Sequence, residues 1–227
     1  MKRVTGATRD AILAAAATAF AARGFSGTSV DTIAKASGFN KAMIYYHFRN
    51  KKGLYVEILR DVFRMMGGRA AEIADADLSP SAKIEAFIDA FDTMAATRPY
   101  MPPIMMREMA EGAVHLDSDT LRLMAAIFRH LARILEEGTA TGVFRPAHPV
   151  LTYFTLISPI IFFRATAPIR AALGRTHVPH VLAIDPAAFV ANVKSTAITA
   201  LTAGAPGARR SRPPRPRSRA IRPGDHA

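Results

Sequence analysis

Near the N-terminus, Thr28, Ser29, Asn40, Lys41, Tyr45, Tyr46, His47 and Lys51 crowd hydroxyl, amide, ammonium, phenol and imidazole groups into a short stretch. These donors suit phosphate oxygens and base edges, and such contacts need no nucleophile paired with a base. Bond-making chemistry has no comparable constellation. The chain contains no cysteine, so disulfides, thiolate metal ligands and cysteine nucleophiles are excluded. It also lacks a Gly-x-Ser-x-Gly elbow and a phosphate-cradling glycine loop. Glu108, Glu111 and His115 stand at spacings of three and four and would share a helical face. A solvated face is the preferred reading there, and neither a metal nor any other cofactor is expected. The residues describe a binding protein and not an enzyme.

Charge is distributed to match. The net charge is +12, and residues 1–52 hold nine Lys/Arg against Asp10 and Asp31. Residues 204–227 hold seven Arg against Asp225, which leaves 53–203 close to neutral. A basic head on a neutral body fits a polyanion partner and a body with another task. Hydrophobic residues make up 50% of the chain, enough for a buried core. No apolar run reaches the roughly 18–20 residues of a membrane helix. The longest, Tyr153 to Phe163, is broken by Pro159, and the polar N-terminus lacks a signal-peptide stretch. A soluble cytoplasmic protein without membrane contact is expected.

Apolar residues recur at three and four rather than two, so the elements that position these groups are helices. The signals predict a first helix from an N-cap at Thr8 to Arg23, closed by Gly24. A second runs from Val30 to Ala36 after Thr28 or Ser29, and Ser37-Gly38-Phe39 turns the chain. A third spans Lys41 to Tyr46 after Asn40, and a fourth runs from Lys51 to about Met66, where Gly67-Gly68 loosens the join. Further helices start at Ser79-Pro80, Pro102-Pro103 and Ser118. The last two are expected at about 149–173 and 186–203. Three short helices with a glycine turn between the second and third form a helix-turn-helix unit, with the third free to enter a major groove.

The run from Thr28 to Phe48, followed by Lys51 and Leu54, resembles the DNA-binding motif of the TetR family, and Tyr45-Tyr46-His47-Phe48 is especially typical of it. Close matching covers about residues 8–60. Asn40 stands where the family often has Ser, Ala42 where Gly is common, and Lys52 replaces a usual acid. None of these breaks the fold, but the preferred base sequence does not transfer from a relative. The resemblance implies an all-α protein with two parts. Residues 6–66 form a helix-turn-helix DNA-binding domain with its motif at about 29–48. Residues 67–204 form a helical effector-binding and dimerisation domain. Apart from the resemblance, the Pro/Arg/Gly-rich composition of 205–227 predicts a disordered Arg/Pro-rich tail. The DNA-contact set is Thr28, Ser29, Asn40, Lys41, Ala42, Ile44, Tyr45, Tyr46, His47 and Lys51. Ile44 also fits the small domain's core, with Phe20, Ile33 and Phe48.

For the body, the resemblance implies a homodimer built on the last two long helices through Leu151, Phe154, Ile161, Phe189, Val193 and Leu201. Packing within one chain is the competing role of these residues. It also implies an effector pocket. Eight of the ten Met lie between Met65 and Met124, and this adaptable density points to an apolar or aromatic ligand. The expected lining is Phe87, Phe91, Met94, Met105, Met106, Met109, Met124, Phe128, Phe162 and Phe163, with Arg107 or Arg129 as an anchor for a negative group. The expected function is a repressor that binds a palindromic double-stranded DNA operator and is released by the ligand. The alternative is a protein that coats DNA non-specifically through its basic ends.

Overall fold

The computed structural model describes residues 2–174 and 184–205, with side chains described for 6–173 and 184–205. The described residues are helical with no strand among them: α1 (Lys2–Arg23), α2 (Val30–Ser37), α3 (Lys41–Phe48), α4 (Lys51–Asp75), α5 (Pro80–Thr97), α6 (Met101–Ala110), α7 (Ser118–Ala140), α8 (Pro149–Ala165), α9 (Ala167–Gly174) and α10 (Pro186–Thr202). The all-α expectation holds. Of the expected tail only Ala205 is described, and it is buried; the remainder lies outside the described residues.

Helices α1–α3 close a small core with Ile12, Ala16 and Phe20, Ile33, and Ile44 and Phe48. Leu54 and Ile58 of α4 share this core, and α4 then continues into the body. There α4 packs along α7, while α5 packs on α8 and α10. Polar links brace the layers. The Lys83 ammonium, almost fully buried, donates to Ala74 O at the end of α4 (3.0 Å) and to Glu137 on α7 (2.7 Å). The Arg164 guanidinium grips both oxygens of Asp92, tying α8 to α5. An Arg–carboxylate pair of this bidentate form is stronger and more directional than a single contact.

Three expectations about helix ends are corrected. The first helix starts at Lys2 and not at a Thr8 cap. Thr8 is buried on the helix, and Gly6 costs an ongoing helix only about 1 kcal/mol. The fourth helix does not stop near Met66; it runs through Gly67-Gly68 to Asp75. Gly67 lies against α7, and a methyl built there would meet Ala126 and the Leu123 carbonyl at 3.9 Å. Packing along α7 therefore holds a glycine pair in the helix that local propensity would fray. Finally, the expected helix 149–173 bends by 52° between α8 and α9. Thr166 ends α8 with its hydroxyl on Phe162 O (2.7 Å), and Pro168 has no N–H to continue the ladder. Among the described residues, no single helix is long and apolar enough to cross a membrane.

Candidate nucleic-acid interface and ligand cavity

Each element of the N-terminal unit is capped by its own sequence. Ser29 accepts from Thr32 N (3.1 Å) and starts α2. Gly38, at φ +76°, ends α2 with its N–H on Ala34 O, in the left-handed region where an L side chain strains. Asn40 accepts from Met43 N (2.9 Å) and starts α3, and Asn50 accepts from Gly53 N (2.7 Å) and starts α4. The tight caps leave α3 with two unlike faces. Ile44 and Phe48 point inward, whereas Lys41, Ala42, Tyr45, Tyr46 and Arg49 form one exposed stripe. Tyr46 is 75% exposed, with its ring edge-on to His47 at 5.1 Å.

Several expected contact residues have other engagements. Thr28 is buried, with its hydroxyl on Gly24 O (2.8 Å) and near Ala19 O (3.1 Å), so it braces the α1–α2 loop. Ile44 is fully buried and belongs to the core alone. The Lys51 ammonium donates to Phe25 O and Thr28 O, both at 3.0 Å, and lies 4.3 Å from the Phe25 ring centre. It ties α4 to that loop instead of facing outward. Lys41 pairs with Asp31 across the turn at 2.6 Å. That hydrogen bond, with the attraction of the carboxylate, raises the Lys41 pKa. Ser29, Asn40, Ala42, Tyr45 and Tyr46 are exposed, and His47 is half-buried. Arg49 and Lys52 are exposed beside them and were not in the expected set.

In the body, a cavity of about 390 Å³ opens between α4, α5, α6, α7 and α8. This lies within the usual range for small-molecule sites, roughly 300–1,000 Å³. Of the expected lining, Phe91, Met94, Met105, Met106, Met109, Met124, Phe128 and Phe162 are present. Phe87 is not, because it turns into the α5 core. Phe163 is not either; its ring stacks on Phe189 at 4.0 Å, with the Arg170 guanidinium over it at 3.8 Å. Met66 and Met101 of the Met-rich stretch also line it, and the residues the sequence reading missed include Val62, Phe63, Tyr153, Ile157 and Ser158. Phe154 and Ile161, expected at a dimer contact, also line the cavity, although Phe154 remains 55% exposed. Val193 and Leu201 are buried within their own chain, and half-buried Phe189 stacks on Phe163. Leu151 is 67% exposed. The Tyr153 ring packs on Phe91, Phe128 and Phe154, and burial pushes its phenol pKa up. Neither Arg107 nor Arg129 reaches the cavity.

Glu108 does not lie on a solvated face. It is fully buried and accepts from the Tyr55 hydroxyl (3.0 Å) and the His115 N–H (2.8 Å), with His115 Nδ1 also at 3.0 Å. His115 arrives from the loop after α6, turned back through Ala113 at φ +61°. Its ring packs 4.3 Å from Phe25. Glu108, Glu111 and His115 bring ligand atoms within 4.8 Å of one another. The Glu108 oxygens are already committed, so the cluster works as a hydrogen-bonded joint between α6, α4 and the head.

A helix-turn-helix unit with one exposed stripe, set on a helical body with an apolar cavity, defines a DNA-binding regulator. The comparisons agree. The profile "Bacterial regulatory proteins, tetR family" matches residues 12–58, and "Tetracyclin repressor-like, C-terminal domain" matches 80–172. The HTH-type transcriptional repressor KstR2 of Mycolicibacterium smegmatis is 33% identical over 141 residues, covering 61% of this chain and 68% of that protein. The HTH-type transcriptional regulator RutR of Escherichia coli (strain K12) is 25% identical over 175 residues, covering 77% and 82%. The structure of the transcriptional regulator FadR from Bacillus subtilis in complex with stearoyl-CoA matches with a TM-score of 0.67 at 18% identity, covering 84% of this chain and 98% of that one. The chain belongs to the TetR family of bacterial transcriptional regulators. Its named relatives are regulators of transcription.

Proposed function

We propose that the chain is a homodimeric repressor that binds a palindromic operator and is released by a small, largely apolar effector. The course of α4 carries this reading. Its first turns are tied to the DNA-binding head by the Lys51 ammonium and by the Tyr55 ring against Phe20 and Phe25, and Val62, Phe63 and Met66 further along the same helix wall the cavity. A ligand that fits one position of α4 better than another biases the separation of the two α3 helices in the dimer. Those helices must meet successive major grooves about 34–36 Å apart. Differential affinity for the two positions is the only source of such a bias.

In this reading Lys41, Ala42, Tyr45 and Tyr46 face the groove, with Ser29, Asn40, His47, Arg49 and Lys52 near the phosphates. Thr28, Ile44 and Lys51 act by holding the unit in shape. The partner copy docks on the exposed side of α8, through Leu151 and Phe154, and on α10. The outer face of α10 carries small residues such as Ala188, Ala191, Ser195 and Thr199, which admit close approach. The repressor KstR2 and the stearoyl-CoA complex of FadR support the regulatory and ligand parts by kinship.

The test is a gel-shift titration at near-physiological salt, using DNA from upstream of the protein's own gene and unrelated DNA of equal length. It uses the full chain and a version ending at Gly204. Selective retardation by both versions is expected. Equal affinity for both DNAs that disappears with the basic tail would replace this reading with a non-specific coating role.

A further inference from the structure

The apolar cavity shares a wall with a second space. Met66 and Met94 line the cavity and also a groove of about 360 Å³ between α4 and α5. On the cavity side, the polar groups are the Tyr153 phenol and Ser158. On the groove side stand Arg69 and Arg98, with Thr93, Thr97 and Asp89. The two residues common to both spaces are unbranched thioether side chains, which rearrange more readily than branched or aromatic ones.

The groove is biased toward an anion. Asp89 is already answered by Lys194, whose ammonium lies 2.6 Å from its carboxylate. Arg69 pairs with Glu72 one turn along α4, and both side chains are more than half exposed. Exposed pairs of this kind contribute little and exchange easily. Arg98 lies at the end of α5 beside the Tyr100 hydroxyl. The carbonyl end of α5 opposes an anion, but two guanidiniums from separate helices outweigh one exposed helix terminus. Guanidiniums also suit the forked oxygens of carboxylate and phosphate groups.

We propose that the effector is amphipathic: its hydrocarbon body fills the cavity, and an anionic carboxylate or phosphate head passes Met66 and Met94 to Arg69 and Arg98. This rests on reading the cavity as the effector site, and it adds the chemistry of the head and the place where it is held. A neutral hydrocarbon would draw neither guanidinium from its present partner, and a small polar anion would gain nothing from the chamber.

Calorimetric titration of the full chain with laurate, dodecyl phosphate and dodecanol separates the cases. At least one anion should bind roughly tenfold more tightly than dodecanol, and the better of the two identifies the head group. In an R69Q/R98Q variant that preference should vanish while dodecanol affinity stays unchanged. R69K/R98K should retain part of it. If the double variant fails to fold, R69Q alone, at an exposed site, should weaken the anion about threefold and leave dodecanol unaffected. Dodecanol binding as tightly as both anions, or a preference that survives R69Q/R98Q, overturns the head-group assignment and leaves the cavity reading standing. Failure of all three ligands to bind overturns both.

Discussion

His130 illustrates how a single half-buried group sets a pH response. Its Nδ1 is buried without a hydrogen-bond partner among the described residues. Burial, followed by the nearby Arg133 and Arg129 charges, lowers its pKa below the ordinary 6.5. As pH falls, the unfolded chain takes up this proton before the folded one does. Stability is therefore lost from about pH 6.5 downward and levels off below the depressed folded value. Urea midpoints measured at about pH 7.5 and 5.5 should show this loss, and His130→Leu should shrink it. An undiminished loss in the variant would assign the effect to other groups. The α3 stripe was legible in the sequence because helical periodicity is local, so Lys41, Ala42, Tyr45 and Tyr46 sort to one face by spacing alone. Thr28 and Lys51 were not, since their partners are carbonyls of the α1–α2 loop, brought into reach only when the loop closes.

At the level of elements, two glycines in helices should respond oppositely to the same change. A methyl at Gly138 would fall inside the ring of Phe144, which is fully buried after the turn that ends α7. Gly138→Ala should therefore destabilise the body by about 1–3 kcal/mol through overpacking. Nothing lies within 4 Å of a methyl at Gly68, on the exposed side of α4. Gly68→Ala should stabilise by about 0.5–1 kcal/mol through helix propensity. Urea denaturation of both variants checks the pair, and equal signs would contradict the packing described for α4 and α7. The caps at Ser29, Asn40 and Ser79 were readable because capping is written in the chain beside each helix. The continuation of α4 past Gly67-Gly68 was not, because α7, more than fifty residues further on, supplies the packing. The Met-rich wall of the cavity was visible as local composition. Tyr153, Phe63 and Ile157 join it only through the way α4 and α8 pack.

At the scale of the whole molecule, the exposed face of α8 is the surface most in need of a partner. Leu151 stands 67% exposed beside the small-residue face of α10. Leu151→Arg should convert a species of twice the chain mass into single chains, as read by sedimentation equilibrium, and should weaken operator binding with it. An unchanged mass would move the interface elsewhere. Sequence patterning marked these two helices correctly as apolar but assigned Val193 and Leu201 to the outside, because periodicity does not say which of two apolar faces meets its own chain. Finding one operator means passing over roughly 10⁶–10⁹ competing stretches of genome, and every cation that clings to any phosphate slows the passage. Lys41 begins that search with its charge already answered by Asp31. The pair is half-exposed and exchanges readily, and only while it is closed does Lys41 leave the DNA's counter-ions in place. In the proposed reading, a base edge with well-placed acceptors competes with Asp31 for Lys41, which would make this contact depend on the DNA sequence.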